Sequence, residues 1–192
     1  MGTGYRPSLR DTFSEAYRAY GESRSLKKHR ELIKQASPKG KKQPVLVLPG
    51  FVTSDSFTRK LRGFLGEIGY TAYGWDGGMN TGPDAATIRH LEQRVDEIYN
   101  AHNKQKIRII GHSLGGLYAL ELARKYPDKI EDVITLGTPV NIETGGNVAR
   151  AVKKIFNHMA SKNMPLTEQG ILQCAAVPPP VPTTSIYSQQ DG

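Results

Sequence analysis

The 192-residue sequence has a single cysteine, Cys174, which excludes an internal disulfide framework and any zinc site built from a cysteine cluster, and makes a reducing compartment the simplest fit. No apolar run approaches the roughly 18 residues that a membrane-spanning helix needs. No apolar signal-peptide core follows the N-terminus, and Arg6 stands where myristoylation prefers Ser or Thr. Internal repeats are absent, and collagen, coiled-coil and disordered compositions do not fit a chain with 38% hydrophobic residues. These absences lead to the expectation of a cytoplasmic protein, soluble or at most peripheral to a membrane.

Positive charge, by contrast, is abundant: 26 Lys and Arg against 18 Asp and Glu, a formal +8. Its distribution is uneven. Residues 1–44 carry 11 basic and 4 acidic side chains, and the remainder 15 against 14, so the excess belongs to a basic N-terminal arm. Leu9, Phe13, Ala16, Tyr17 and Tyr20 follow helical spacing until Gly21 interrupts it, so one or two amphipathic helices are expected over 8–36. Two readings of the arm stay open: a solvated helical appendage, or a surface for weak contact with a phosphate-rich or anionic-lipid partner. Basic and aromatic residues do not interleave as in nucleic-acid readers, and no nucleic-acid partner is expected.

After a polar, basic linker at 37–43 (SPKGKKQ), short apolar runs alternate with helical stretches. Val45, Leu46, Val47 and Leu48 form a continuous apolar run ended by Pro49-Gly50, as a strand covered on both faces of a parallel sheet requires. The spacing predicts helices over 57–68, 85–101 and 114–126, and strands over 70–75, 107–110, 133–136 and 183–188. The clearest helix is 85–101, with Ile88, Leu91, Val95 and Ile98 three or four residues apart. Such alternation defines an α/β class with a mainly parallel sheet, here a core spanning 45–192. Residues 141–173 are expected to be mostly helical and to lie over the sheet as a cap, with Cys174 a small apolar residue beside it.

One motif carries chemistry. Gly111-His112-Ser113-Leu114-Gly115-Gly116 places G-x-S-x-G directly after a predicted strand and at the start of a predicted helix, the context of a nucleophile elbow. A serine on so tight a turn sits in a strained backbone region, and Gly111 and Gly115 relieve the crowding around it. The following helix start offers unpaired N–H groups and positive potential to an oxyanion.

These features together resemble the α/β-hydrolases, more narrowly their lipase- and esterase-like members, over about residues 43–192. The resemblance implies that Phe51 N–H, just after the Pro-Gly pair of VLVLPGF, forms half of an oxyanion hole and that Leu114 N–H forms the other. The segment 77–83 (GGMNTGP) resembles a loop of bacterial lipase-like members, and equally reads as a plain cluster of turn residues. Residues 136–139 (LGTP) resemble the strand end that follows the elbow. Asp191, in SIYSQQDG, matches the position of the catalytic carboxylate, which orients the histidine of a triad; otherwise it is an Asp-Gly turn.

The family's order is Ser, acid, His, and no histidine follows Asp191. Of the five present, His112 adjoins Ser113 but is expected to point away, His158 in the cap segment is a substitute base, and His29, His90 and His102 are expected at the surface. The catalytic histidine is therefore expected beyond residue 192, together with a closing strand and helix. The chain is expected to be an incomplete sequence with little turnover of its own; a genuine short form is the alternative. The function implied is cleavage of a small-molecule carboxylic ester without metal or organic cofactor. Acyl transfer, amide or lactone hydrolysis, and an inactive scaffold binding an acyl ligand or anionic partner remain as alternatives.

Overall fold

The computed structural model describes residues 30–138 and 178–187. The chain divides into two compact units, Met1–Lys39 and Gly40–Gly192. In the first, residues 30–36 are helical, and Ser37 ends the segment with both its N–H and its hydroxyl donating to Ile33 O. The cap segment 141–173, Cys174 and the arm up to His29 lie outside the described residues.

The second unit is built on five strands: β1 (Pro44–Leu48), β2 (Thr71–Gly74), β3 (Ile107–His112), β4 (Ile130–Leu136) and β5 (Thr183–Ile186). All neighbours pair in parallel, in the order β2-β1-β3-β4-β5. Three helices connect them: α1 (Asp55–Glu67), α2 (Ala85–Ala101) and α3 (Leu114–Lys125).

Right-handed crossovers decide which face each helix covers. The chain steps from β1 outward to β2, then back across β1 to β3, so the direction of travel reverses and α1 and α2 fall on opposite faces. Alternation along β1 meets both. Val45 and Val47 join Leu65 and Ile68 at the α1 end, while Leu46 and Leu48 join Leu91, Val95, Ile98 and the buried side of α3. A strand apolar at every position is thus one covered on both sides. The reversal between β1 and β3 also creates a topological switch point, the place where open α/β sheets form a crevice at their carboxyl ends.

The predicted elements recur with boundaries shifted by a few residues, and three of the shifts have physical causes. β4 begins at Ile130, three residues before the apolar run, because Glu131 and Asp132 interrupt that run without ending the strand: Ile107 is registered with Ile130 and Arg108 with Asp132, and Glu131 is the extra residue of a register shift between them. β3 runs on through Gly111 and His112, which pair with Thr135 and Leu136. β2 stops at Gly74 because the Asp55 carboxylate, at the start of α1, accepts the next two backbone N–H groups, Trp75 at 3.1 Å and Asp76 at 2.9 Å. The start of α2 is capped by Asp84, whose carboxylate accepts Thr87 N–H.

Arg108 and Asp132 form an ion pair at 3.2 Å across β3 and β4. Burial raises the Asp132 carboxyl above its ordinary 3.8, Arg108 opposes the shift and Glu131 adds to it. A carboxyl that holds its proton more tightly in the folded state loses stability for the fold as pH climbs from the unfolded pKa through the folded one. Asp132→Asn is therefore expected to flatten that part of the stability curve, as measured by denaturant melts between about pH 3 and about pH 7. An unchanged slope would show that the group does not contribute.

Candidate active site at the ends of β1 and β3

A single residue, Ser113, joins β3 to α3. Its backbone has φ 50° and ψ −118°, a conformation that costs a non-glycine residue about 1–3 kcal/mol. Three hydrogen bonds hold it there. Ser113 N–H donates to Leu136 O at 2.9 Å, and Ser113 O accepts both Gly116 N–H at 2.9 Å and the Thr138 hydroxyl at 3.1 Å. Strain is concentrated at one residue and the surrounding strand ends enforce it.

The turn is also closed sterically. A Cβ on Gly111 would lie 2.5 Å from Gly116 Cα, and one on Gly115 would lie 2.5 Å from Leu48 O and 2.7 Å from Pro49 O. Gly116 faces Thr138, whose Cβ would be 2.8 Å from an added methyl. The start of α3 is thus pressed against the end of β1, with no side chain between them.

Beyond β1 the chain turns through Pro49, Gly50, Phe51, Val52 and Thr53. Gly50 sits over the elbow: a Cβ there would be 2.8 Å from His112 Nδ1 and 3.3 Å from Ser113 Cβ. Val52 N–H donates to Asn80 O, and Thr53 donates to Gly50 O through both its N–H and its hydroxyl. Phe51 N–H takes part in no hydrogen bond among the described residues, and neither does Leu114 N–H in the first turn of α3, where helical partners are lacking. Among the described residues these two donors are thus unengaged, one on the residue after Ser113 and one on the residue after Gly50, which sits over the elbow.

The histidines divide differently from expectation. His112 is half-buried, with its ring 5.0 Å from that of Phe57. His90 and His102 are not simple surface residues: both are half-buried and bonded, His90 Nε2–H to Trp75 O at 2.8 Å and His102 Nε2 with the Tyr73 hydroxyl at 2.9 Å. Each closes the end of β2 against α2, which its polar character in a helical stretch did not disclose. Asp191 and His158 lie outside the described residues. Ser113, His112, Phe51, Leu114 and the three elbow glycines are brought together. Two residues with a positional role, Thr138 and Asn80, carry no signal in the sequence beyond their place in a short Gly- and Pro-containing motif.

A parallel sheet carrying a strand-serine-helix turn at the carboxyl end of its central strand is the architecture of the α/β-hydrolases. The chain belongs to the serine aminopeptidase, S33, family of that fold, which its residues 39–175 match. Homoserine O-acetyltransferase of Thermus thermophilus is 36% identical over 87 residues, 45% of this chain and 19% of that enzyme. Among solved structures, that of the metagenome-derived lipolytic enzymes LipS and LipT superposes with a TM-score of 0.54 at 14% identity, covering 79% of this chain and 74% of that chain. The monoacylglycerol lipase of Paleococcus ferrophilus gives 0.51 at 16% identity, covering 78% and 74%. The chain spans less than a fifth of the length of such curated relatives. Among the described residues, no helix is long and apolar enough to cross a membrane.

Proposed function

We propose that the protein is a serine hydrolase that cleaves carboxylic esters of small acyl substrates. The observation that carries this reading is Ser113 in its strained backbone conformation at the carboxyl end of β3, with the loop at Gly50 over it and, among the described residues, no partner for the N–H groups of Phe51 and Leu114. Ser113 Oγ attacks the acyl carbonyl, and the carbonyl oxygen, becoming an oxyanion, accepts from Phe51 N–H and Leu114 N–H. A histidine outside the described residues takes the serine proton and passes it to the leaving alcohol, with Asp191 fixing its tautomer. Water then releases the acyl group by the reverse sequence. The acyl chemistry named for the Thermus acetyltransferase and for the lipolytic enzymes supports an ester at the reacting centre.

The acetyltransferase likeness also favours a second reading, transfer of the acyl group to an alcohol. The test is to treat the full-length protein with a fluorophosphonate, map the adduct by mass spectrometry, and compare p-nitrophenyl butyrate with an aminoacyl p-nitroanilide. An adduct on Ser113 with preferential cleavage of the ester is expected. Absence of the adduct would overturn the serine mechanism, and preference for the anilide would overturn the ester. Butyryl transfer to added glycerol in excess of hydrolysis would select the second reading.

A further inference from the structure

The loop between β2 and α2 is tied to the loop after β1 at one residue, Asn80. Asn80 is 0% exposed and makes five hydrogen bonds. Its backbone joins the loop after β1: Asn80 N–H donates to Thr53 O and Asn80 O accepts Val52 N–H, both at 2.8 Å. Its side chain spans further, with Nδ2–H donating to Pro49 O at 2.9 Å and Oδ1 accepting Gly82 N–H and the Tyr118 hydroxyl, both at 3.2 Å. Burial pushes the Tyr118 hydroxyl well above its ordinary pKa, with Asp84 adding to the shift, so Tyr118 remains a donor and the Asn80 amide has one orientation.

Three successive peptide planes are fixed in this way. Asn80 Nδ2 holds the Pro49–Gly50 plane by its carbonyl, Thr53 holds the Gly50–Phe51 plane by its carbonyl, and Asn80 O holds the Phe51–Val52 plane by its N–H. A trans peptide is rigid and its N–H points opposite its C=O, so anchoring Gly50 O on the Thr53 side aims Phe51 N–H the other way. Gly50, with no side chain, would otherwise let this segment rotate. A buried polar residue whose groups are engaged rigidifies its surroundings and specifies one arrangement of them.

We infer that Asn80 is a positioning residue that orients the Phe51 N–H of the oxyanion hole by clamping the peptide planes on either side of it. The inference rests on the serine-hydrolase reading above. Removing an oxyanion donor outright lowers kcat by about 10²–10³; loosening one is expected to cost less.

The test compares wild type, Asn80→Ala and Tyr118→Phe in the full-length protein. It measures kcat and KM for p-nitrophenyl butyrate and the affinity of a trifluoromethyl ketone, whose adduct with serine carries an oxyanion. Asn80→Ala keeps both backbone bonds and loses the side-chain bonds to Pro49 O, Gly82 N–H and the Tyr118 hydroxyl. It is expected to lower kcat by about 10- to 100-fold with KM nearly unchanged, and to weaken ketone binding by the same factor. Tyr118→Phe loses only the outer anchor of the amide and is expected to show the same pattern at about threefold; it decides the matter where Asn80→Ala does not fold. A folded Asn80→Ala with unchanged kcat and ketone affinity would overturn the inference, as would an effect confined to KM. A wild-type protein that neither turns over ester nor binds the ketone would overturn the underlying reading instead, so the two failures are distinguishable.

Discussion

Replacing Ser113 is expected to separate activity from stability in opposite directions. Ser113→Ala in the full-length protein should lower kcat for ester cleavage by about 10⁴- to 10⁶-fold, the range seen when a serine nucleophile is deleted and only binding and oxyanion stabilisation remain. Ser113→Gly should be equally inactive and also more stable than wild type. The backbone at φ 50° and ψ −118° carries strain for a side-chain-bearing residue and little for glycine. A gain of about 1 kcal/mol in denaturant melts is expected for Gly over Ala, because alanine keeps the Cβ that causes the strain. Ester turnover by Ser113→Ala at more than about a hundredth of the wild-type rate would exclude the serine as nucleophile. Equal stability of the Gly and Ala variants would instead mean that the surrounding hydrogen bonds, and not the Cβ, determine the energy of the turn.

Gly115→Ala is expected to be among the most damaging single methyls in the described core, with Gly111→Ala, whose Cβ would also meet only backbone. A Cβ on Gly115 would sit 2.5 Å from Leu48 O and 2.7 Å from Pro49 O. Both obstructing atoms are backbone, at the end of a strand paired on each side, so no rotamer change relieves the overlap. Either α3 moves off the sheet, uncovering Leu117, Tyr118 and Leu122, or β1 shifts and breaks its pairing. A loss above about 4 kcal/mol follows, a large share of the 5–15 kcal/mol that holds a domain together. The control is Gly63→Ala, in the exposed middle of α1, where an added Cβ meets nothing within 4 Å. There alanine should stabilise by about 0.5–1 kcal/mol through helix propensity alone. The same substitution should thus have opposite signs at two helical glycines, as chemical denaturation of both variants would show.

Most of the scaffold was legible because its signals are local. α2 follows directly from Ile88, Leu91, Val95 and Ile98, of which the last three are buried, after the turn residues of 77–83. β1 was readable because a strand covered on both faces has no polar interruption. β4 was shortened in prediction because Asp132 reads as a break, whereas its charge is met by Arg108 on the adjacent strand; the compensating partner lies outside any local window. The elbow was visible for a different reason. Its glycines are demanded by backbone approach, and backbone demands appear as fixed spacings. Asn80 left no such trace, since an asparagine among glycines looks like a turn residue whether it faces water or is completely enclosed. His90 and His102 read as surface residues on the same logic, and the hydrogen bonds that hold them come from β2 and the residue after it.

The pairing of Leu48 with Gly111 has a kinetic consequence. The two halves of the proposed oxyanion hole belong to segments far apart in the chain that become neighbours only when β3 docks alongside β1. Contacts of such sequence separation must overcome loop-closure entropy before they stabilise anything, and so they form late. Helices α1 and α2 can form during refolding without producing any anion-binding pocket. Reactivity of Ser113 toward a fluorophosphonate would then be gained in a single step with the completed sheet, and it would serve as a clock for the last non-local event in folding.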